Sequence, residues 1–249
     1  ASAPLVAAVL DSDKGIYTGG NVSPSTKHLK NLMLMSAASS ATSTTNGKQG
    51  VAVCDYLLYY PFIDTDAIGE EQVMDNTVTL PRYAAQGGQV VAVAQSAASA
   101  IGQFTFSYTN QDGVSGRTSQ NNYTFIVAGG GQVVGASGAG ASYNPFCYLQ
   151  VGDTAVRSIE SVTMSAAGGG LMCLVIVKPL IKTVVSQECR RTTTGNLESY
   201  GACTELSSVI HQAGAPRILD GAVIGLLAAG YSGSLASSIL SGALEVIWN

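Results

Sequence analysis

The chain has 249 residues, 46% of them hydrophobic, with 12 basic and 16 acidic side chains and a net charge of −4. That is enough apolar material for one large β-domain or two small ones. The 11% charged fraction is roughly half of the ~25% usual in globular proteins, a composition suited to surfaces covered by other protein, because interface cores are depleted in Lys, Glu and Asp. No basic cluster exceeds Arg190-Arg191, which argues against a nucleic-acid partner.

Residues 1–26 read as an extended N-terminal arm of small residues with Gly19-Gly20 and Pro24, the kind of terminus that orders only against another surface. The apolar run Leu5 to Leu10 has no basic stretch before it, which argues against a secretory signal. Residues 27–249 are expected to form a single β-domain. Lys27 to Met35 is a strand or a short helix, and a polar loop with the turn signal Asn46-Gly47 follows. Cys54 to Tyr83 carries the densest aromatic-aliphatic run, Tyr56-Leu57-Leu58-Tyr59-Tyr60, then Pro61, an acidic loop (Asp64, Asp66, Glu70, Glu71, Asp75) and a second expected strand, Thr77 to Leu80, stopped by Pro81.

Gln89 to Gln95 reads as a strand. Gln103 to Thr109 alternates polar and aromatic residues, which puts Phe104, Phe106 and Tyr108 on one buried face. Asn110-Gln111-Asp112-Gly113 is a hairpin-type turn. Ser115 to Ser119, Tyr123 to Ala128, Tyr143 to Val151 and Ser158 to Ser165 are further expected strands. Leu171 to Val177 is a continuous apolar run, as in a strand buried on both faces. Ser186 to Gly201 is an exposed polar excursion, and the chain closes on a terminal strand, Leu244 to Trp248. The uncharged stretch Gly221 to Leu244 is broken by glycine and serine and reads as a buried or interface segment, with no membrane partner. About ten short strands punctuated by turns specify an all-β fold, a β-sandwich or jelly-roll-like arrangement of antiparallel sheets with long loops.

Reaction chemistry is absent from the motifs. The two histidines, His28 and His211, have no G-x-S-x-G partner sequence, and the glycine clusters at 129–131 and 138–140 match no nucleotide-binding fingerprint. Asp64, Asp66, Glu70 and Asp75 occupy ligand positions of a calcium-loop template, but Ile68 falls on a ligand position and no flanking helices occur. The competing reading is a solvated turn or an inter-subunit polar contact, with Arg82 and Arg117 as the opposite charges. No cofactor is implied. The aromatics Tyr56, Tyr59, Tyr60, Phe62, Phe104, Phe106 and Tyr108 are either core or a sugar-stacking platform. The five cysteines fit a reduced compartment, and a Cys189–Cys203 bridge stays open beside that reading.

The succession CDYLLYYPFIDTD, MDNTVTLPRY, FSYTNQDGVSGRTSQ, GGLMCLVIVKPL and APRILDGAVIGLL resembles structural proteins of tailed-bacteriophage virions, over about residues 50–226. The resemblance implies a non-enzymatic β-rich subunit of the phage particle, assembled in the host cytoplasm. As a capsid decoration or cement protein it would form a homo-oligomer, a trimer or other cyclic assembly, bound to the major capsid protein or other virion proteins. The alternative is a lectin-like host-recognition module of a tail or capsid fibre. The arm, Asp64, Asp66, Glu70, Glu71, Arg82, Arg117 and, in the excursion, Arg190 and Arg191 are the interface candidates.

Overall fold

A computed structural model describes residues 3–38, 48–124, 126, 135–136, 144–186, 188–191, 197–200, 202–207, 215–230 and 238–248. Beyond one 3-10 turn, Ser12–Lys14, the regular structure described is all strand. The strands are β1 (Lys27–Ala38), β2 (Lys48–Asp64), β3 (Glu71–Val73), β4 (Gln89–Ala94), β5 (Gln103–Asn110), β6 (Arg117–Thr118), β7 (Asn122–Thr124) and β8 (Gly135–Ala136). They continue with β9 (Val156–Ala166), β10 (Leu171–Ser186), β11 (Glu188–Arg191), β12 (Leu197–Tyr200), β13 (Ala202–Ser207), β14 (Arg217–Ile218), β15 (Ile224–Gly230) and β16 (Ser238–Trp248). The all-β expectation holds, and no helix among the described residues is long and apolar enough to cross a membrane.

The central sheet runs β15-β2-β10-β4, all antiparallel. Its two long middle strands explain the apolar runs in the sequence. Met172, Leu174 and Ile176 of β10 face one apolar cluster, while Cys173, Val175 and Val177 face another on the opposite side. A strand covered on both faces needs no polar alternation. β5 is the contrasting case. Phe104, Phe106 and Tyr108 are fully buried and the intervening residues half-buried, because only one face of its sheet packs on the core.

That outer sheet runs β3-β9-β5-β7-β8, with β6 also on β5. Its inner face (Phe104, Phe106, Tyr108, Ile159, Val162, Met164) closes the main core against Leu58, Tyr60 and Ile63 of β2, Leu174 and Ile176 of β10, and Val90 of β4. This is sheet-on-sheet packing of the sandwich type. A third sheet is organised on β1, with β16 on one side and β13 and β14 on the other. It closes a second core, in which Leu29, Leu32 and Leu34 meet Val51, Val53, Ile218 and Ile224. Gly242 permits the close approach of β16 to β1, since a Cβ there would meet the Met33 carbonyl oxygen at 2.2 Å.

Strand alternation along β2 places Val51 and Val53 in the second core and Leu57 in the main core, with Asp55 between them on the same face. The two outer sheets therefore sit side by side on one face of the central sheet. Bulges at Leu57 and at Pro61-Phe62 shift the register of β2 against β10 and keep Leu58, Tyr60 and Ile63 on the main core.

Several local expectations are corrected. Thr77 to Leu80 is not a strand: the Thr77 N–H is held by the Asp75 side chain in a turn, and the pairing strand lies earlier, at β3. Residues 144–151 form no strand either; their backbone bridges the central sheet at Val91 to Phe146, where the Phe146 side chain packs with Val91, Val175 and Val177. The Ser115 to Ser119 expectation shrinks to β6, and of the Tyr123 to Ala128 expectation β7 covers Tyr123 and Thr124, while residues 125, 127 and 128 lie outside the described residues. The N-terminal arm lies on its own domain. Ala7 is buried in the main core, the Ala8 and Tyr59 backbones exchange hydrogen bonds, the Asp75 N–H donates to the Leu5 carbonyl, and the Ile16 N–H donates to the Ile224 carbonyl. The excursion is a two-stranded antiparallel ribbon, β11 with β12; the side chains of Arg190 and Arg191, like Cys189, Cys203 and His211, lie outside the described ones.

Candidate functional site

Asp55 is completely buried, and so cannot remain charged without a partner. Arg82 supplies one in a fork, Nε to Oδ2 at 2.8 Å and Nη2 to Oδ1 at 2.7 Å, with only 9% of the Arg82 side chain exposed. Planar, bidentate Arg–carboxylate pairing is the strongest geometry of this kind. The Val223 N–H also donates to Oδ1, and Nη2 donates to the Tyr56 carbonyl. The pair thus ties β2, the segment after β3 and the approach to β15 together at the seam between the two cores. Beside it, Lys178 stands 5.4 Å from the Tyr83 ring centre, and the Tyr83 hydroxyl has no hydrogen-bond partner. Burial, reinforced by the Asp55 charge, pushes that hydroxyl up to about 12.

The turn after β5 is built round Asp153. Its carboxylate accepts from the Tyr108 hydroxyl at 2.7 Å, Asn110 Nδ2 at 2.9 Å and Arg117 Nε at 2.9 Å. Desolvation acts to raise the Asp153 carboxyl, but these hydrogen bonds and the Arg117 charge outweigh it and bring it from 3.8 down to about 2. Asn110 Oδ1 accepts from the Asp112 and Val114 N–H groups, Gln111 Oε1 accepts from Thr154 and Ala155, and Gly113 takes φ +81°. Every polar residue of the Tyr108 to Arg117 run except Ser115 thus has a hydrogen-bonding role within the fold. A third connection runs through Tyr60, whose hydroxyl donates to Asn76 Oδ1 and accepts from the Ile159 N–H, while Asn76 Nδ2 donates to the Ile159 carbonyl.

The acidic loop is stitched in the same way. Asp66 Oδ1 accepts from the Gly169 N–H, Asp64 Oδ1 accepts from the Asp66 N–H, and the Asp64 backbone exchanges two hydrogen bonds with the Gln72 amide. The Thr65 hydroxyl donates to the Gly170 carbonyl. The Gly69 N–H donates to Met164, and Glu71 pairs with Thr163 in the ladder. Among the described residues no group of three or more His, Cys, Asp or Glu side chains is placed to hold a metal; Asp64, Asp66, Glu70 and Asp75 do not converge. Glu70 and Glu71 are exposed.

Arg82 and Arg117 were expected to reach a neighbouring subunit and are instead paired within the chain, to Asp55 and Asp153. Tyr60, Phe104, Phe106 and Tyr108 are buried, so they offer no stacking platform. Burial pushes the thiols of Cys54, Cys147 and Cys173 up to about 12, so none of the three supplies a thiolate at neutral pH. The His28 ring sits between the Thr26 hydroxyl and the Ala215 carbonyl.

The surface also carries large apolar side chains. Tyr17 and Val151 are each 86% exposed, and Trp248 is 60% exposed. Sequence reasoning missed this because exposure of a single Val or Tyr is decided by which loop carries it. β16 has the other open surface: among the described residues it pairs with β1 on one side and with no strand on the other. No family model, no curated protein and no solved structure matches this chain.

Proposed function

We propose that the chain is a structural subunit of a tailed-phage virion, a capsid decoration or cement protein that bridges neighbouring subunits. The observation that carries this reading is a chain poor in charge that exposes Tyr17, Val151 and Trp248, while the ionisable motif residues Asp55, Arg82 and Arg117 serve inside the fold, the last of them paired with Asp153. Apolar anchors with few surrounding charges are what protein–protein contact cores are made of. The partners are further copies of the chain and the major capsid protein, and the order of motifs along the sequence supports placing the subunit on a phage particle.

The test is to add purified protein to particles lacking it and image them with the chain labelled. Density at symmetric capsid positions, with a higher particle melting temperature, supports the reading. A chain that stays monomeric and leaves the particles bare overturns it.

A further inference from the structure

We infer that the edge of β16 that no described strand pairs joins β16 of a second copy, antiparallel, about a two-fold axis at Ala243. This rests on the reading of the chain as a self-associating subunit and names the surface through which one contact is made. β16 spans eleven residues, Ser238–Trp248, without proline. Its only shift in pairing with β1 comes from an extra residue on β1, at Lys30. Proteins usually blunt such edges with lysine, proline, bulges or short length, because an open row of N–H and C=O groups is a template for another strand. Here the single charged residue, Glu245, is already paired with Lys30 of β1 at 2.7 Å.

The strand is complementary to itself in this register. A two-fold at Ala243 sets Ser238 opposite Trp248, Ile239 opposite Ile247, Leu240 opposite Val246, Ser241 opposite Glu245 and Gly242 opposite Leu244. Residues facing one another are then separated by an even number of positions, so they share a face of the joint sheet. The register sets aliphatic positions opposite aliphatic positions at 239/247 and 240/246, the favourable kind of cross-strand pair, and no carboxylate lies opposite another. An isologous contact of this kind closes on itself. It would also join the two β1-centred sheets into one.

Ala243 is exposed, so the monomer fold tolerates substitution there. Ala243→Lys and Ala243→Glu each set like charges face to face across the axis, and each is expected to shift the protein in sedimentation to half the mass of the species this contact forms. Mixing the two variants is expected to restore that species as a heterodimer. Oxidised Ala243→Cys is expected to yield a 243–243 linked peptide by mass spectrometry, since opposed Cα atoms about 4.5–5.5 Å apart lie in disulfide range, whereas Val151→Cys gives no such homodimeric link. An assembly of unchanged mass in Ala243→Lys, lacking the 243–243 peptide, overturns this inference and leaves the subunit reading standing. A wild-type chain that is monomeric and ignores particles overturns both.

Discussion

Arg82 shows how one side chain can set the meaning of a motif. Removing it leaves the Asp55 carboxylate, fully buried, with one backbone N–H as its remaining donor. Breaking a buried pair from one side costs about 3–5 kcal/mol. Arg82→Ala is therefore expected to lower the unfolding free energy read from urea melts by that amount, and a change below about 1 kcal/mol would mean water replaces the guanidinium. Asp153 is the acid-sensitive counterpart. Its folded pKa of about 2 lies below its ordinary 3.8, so its contribution is fully present above about pH 4 and is lost as pH falls toward 2. Wild-type stability should drop across that window. Asp153→Asn should be less stable at pH 7 and show a flatter acid limb, read from urea melts at each pH.

Among the elements, the N-terminal arm carries the sharpest prediction. Ala7 sits in the main core, and its neighbours hydrogen-bond the Tyr59 and Asp75 amides. Ala7→Glu puts a charge in that position. It is expected to release the Tyr59 and Asp75 amides to hydrogen exchange while the β5 amides stay protected; loss of protection everywhere would mean the arm is part of the folding core. β5 and β10 were legible in the sequence because one-sided and two-sided burial leave distinct patterns, alternation in Gln103 to Asn110 and an unbroken run in Leu171 to Val177. Thr77 to Leu80 was misleading: its residues favour strands, but the Asp75 side chain caps the Thr77 N–H and turns the chain. The partners of Arg82 and Arg117 lie 27 and 36 residues away. Nothing in local spacing distinguishes an arginine waiting for a neighbour from one already satisfied by a distant carboxylate.

At the scale of the whole molecule, β2 and β10 contribute to both cores. Leu58 and Ile176 belong to the main core, while Val53 packs in the second core with Leu180 and Ile181 against it. Each core therefore lacks a wall when the other loses these strands. Trp248, at the end of β16, reports on the sheet built round β1, and far-ultraviolet circular dichroism reports on all strands. The two signals are expected to give superimposable urea transitions; a fluorescence change at lower urea would show that the β1-centred sheet melts alone. The same sharing has a consequence for fragments. A protease that nicks the chain between Asp64 and Leu171 cannot liberate a durable half, because the cut parts β2 from β10 and leaves each core without one of its walls. Cleavage products should vanish as fast as the intact chain, with no persistent intermediate band.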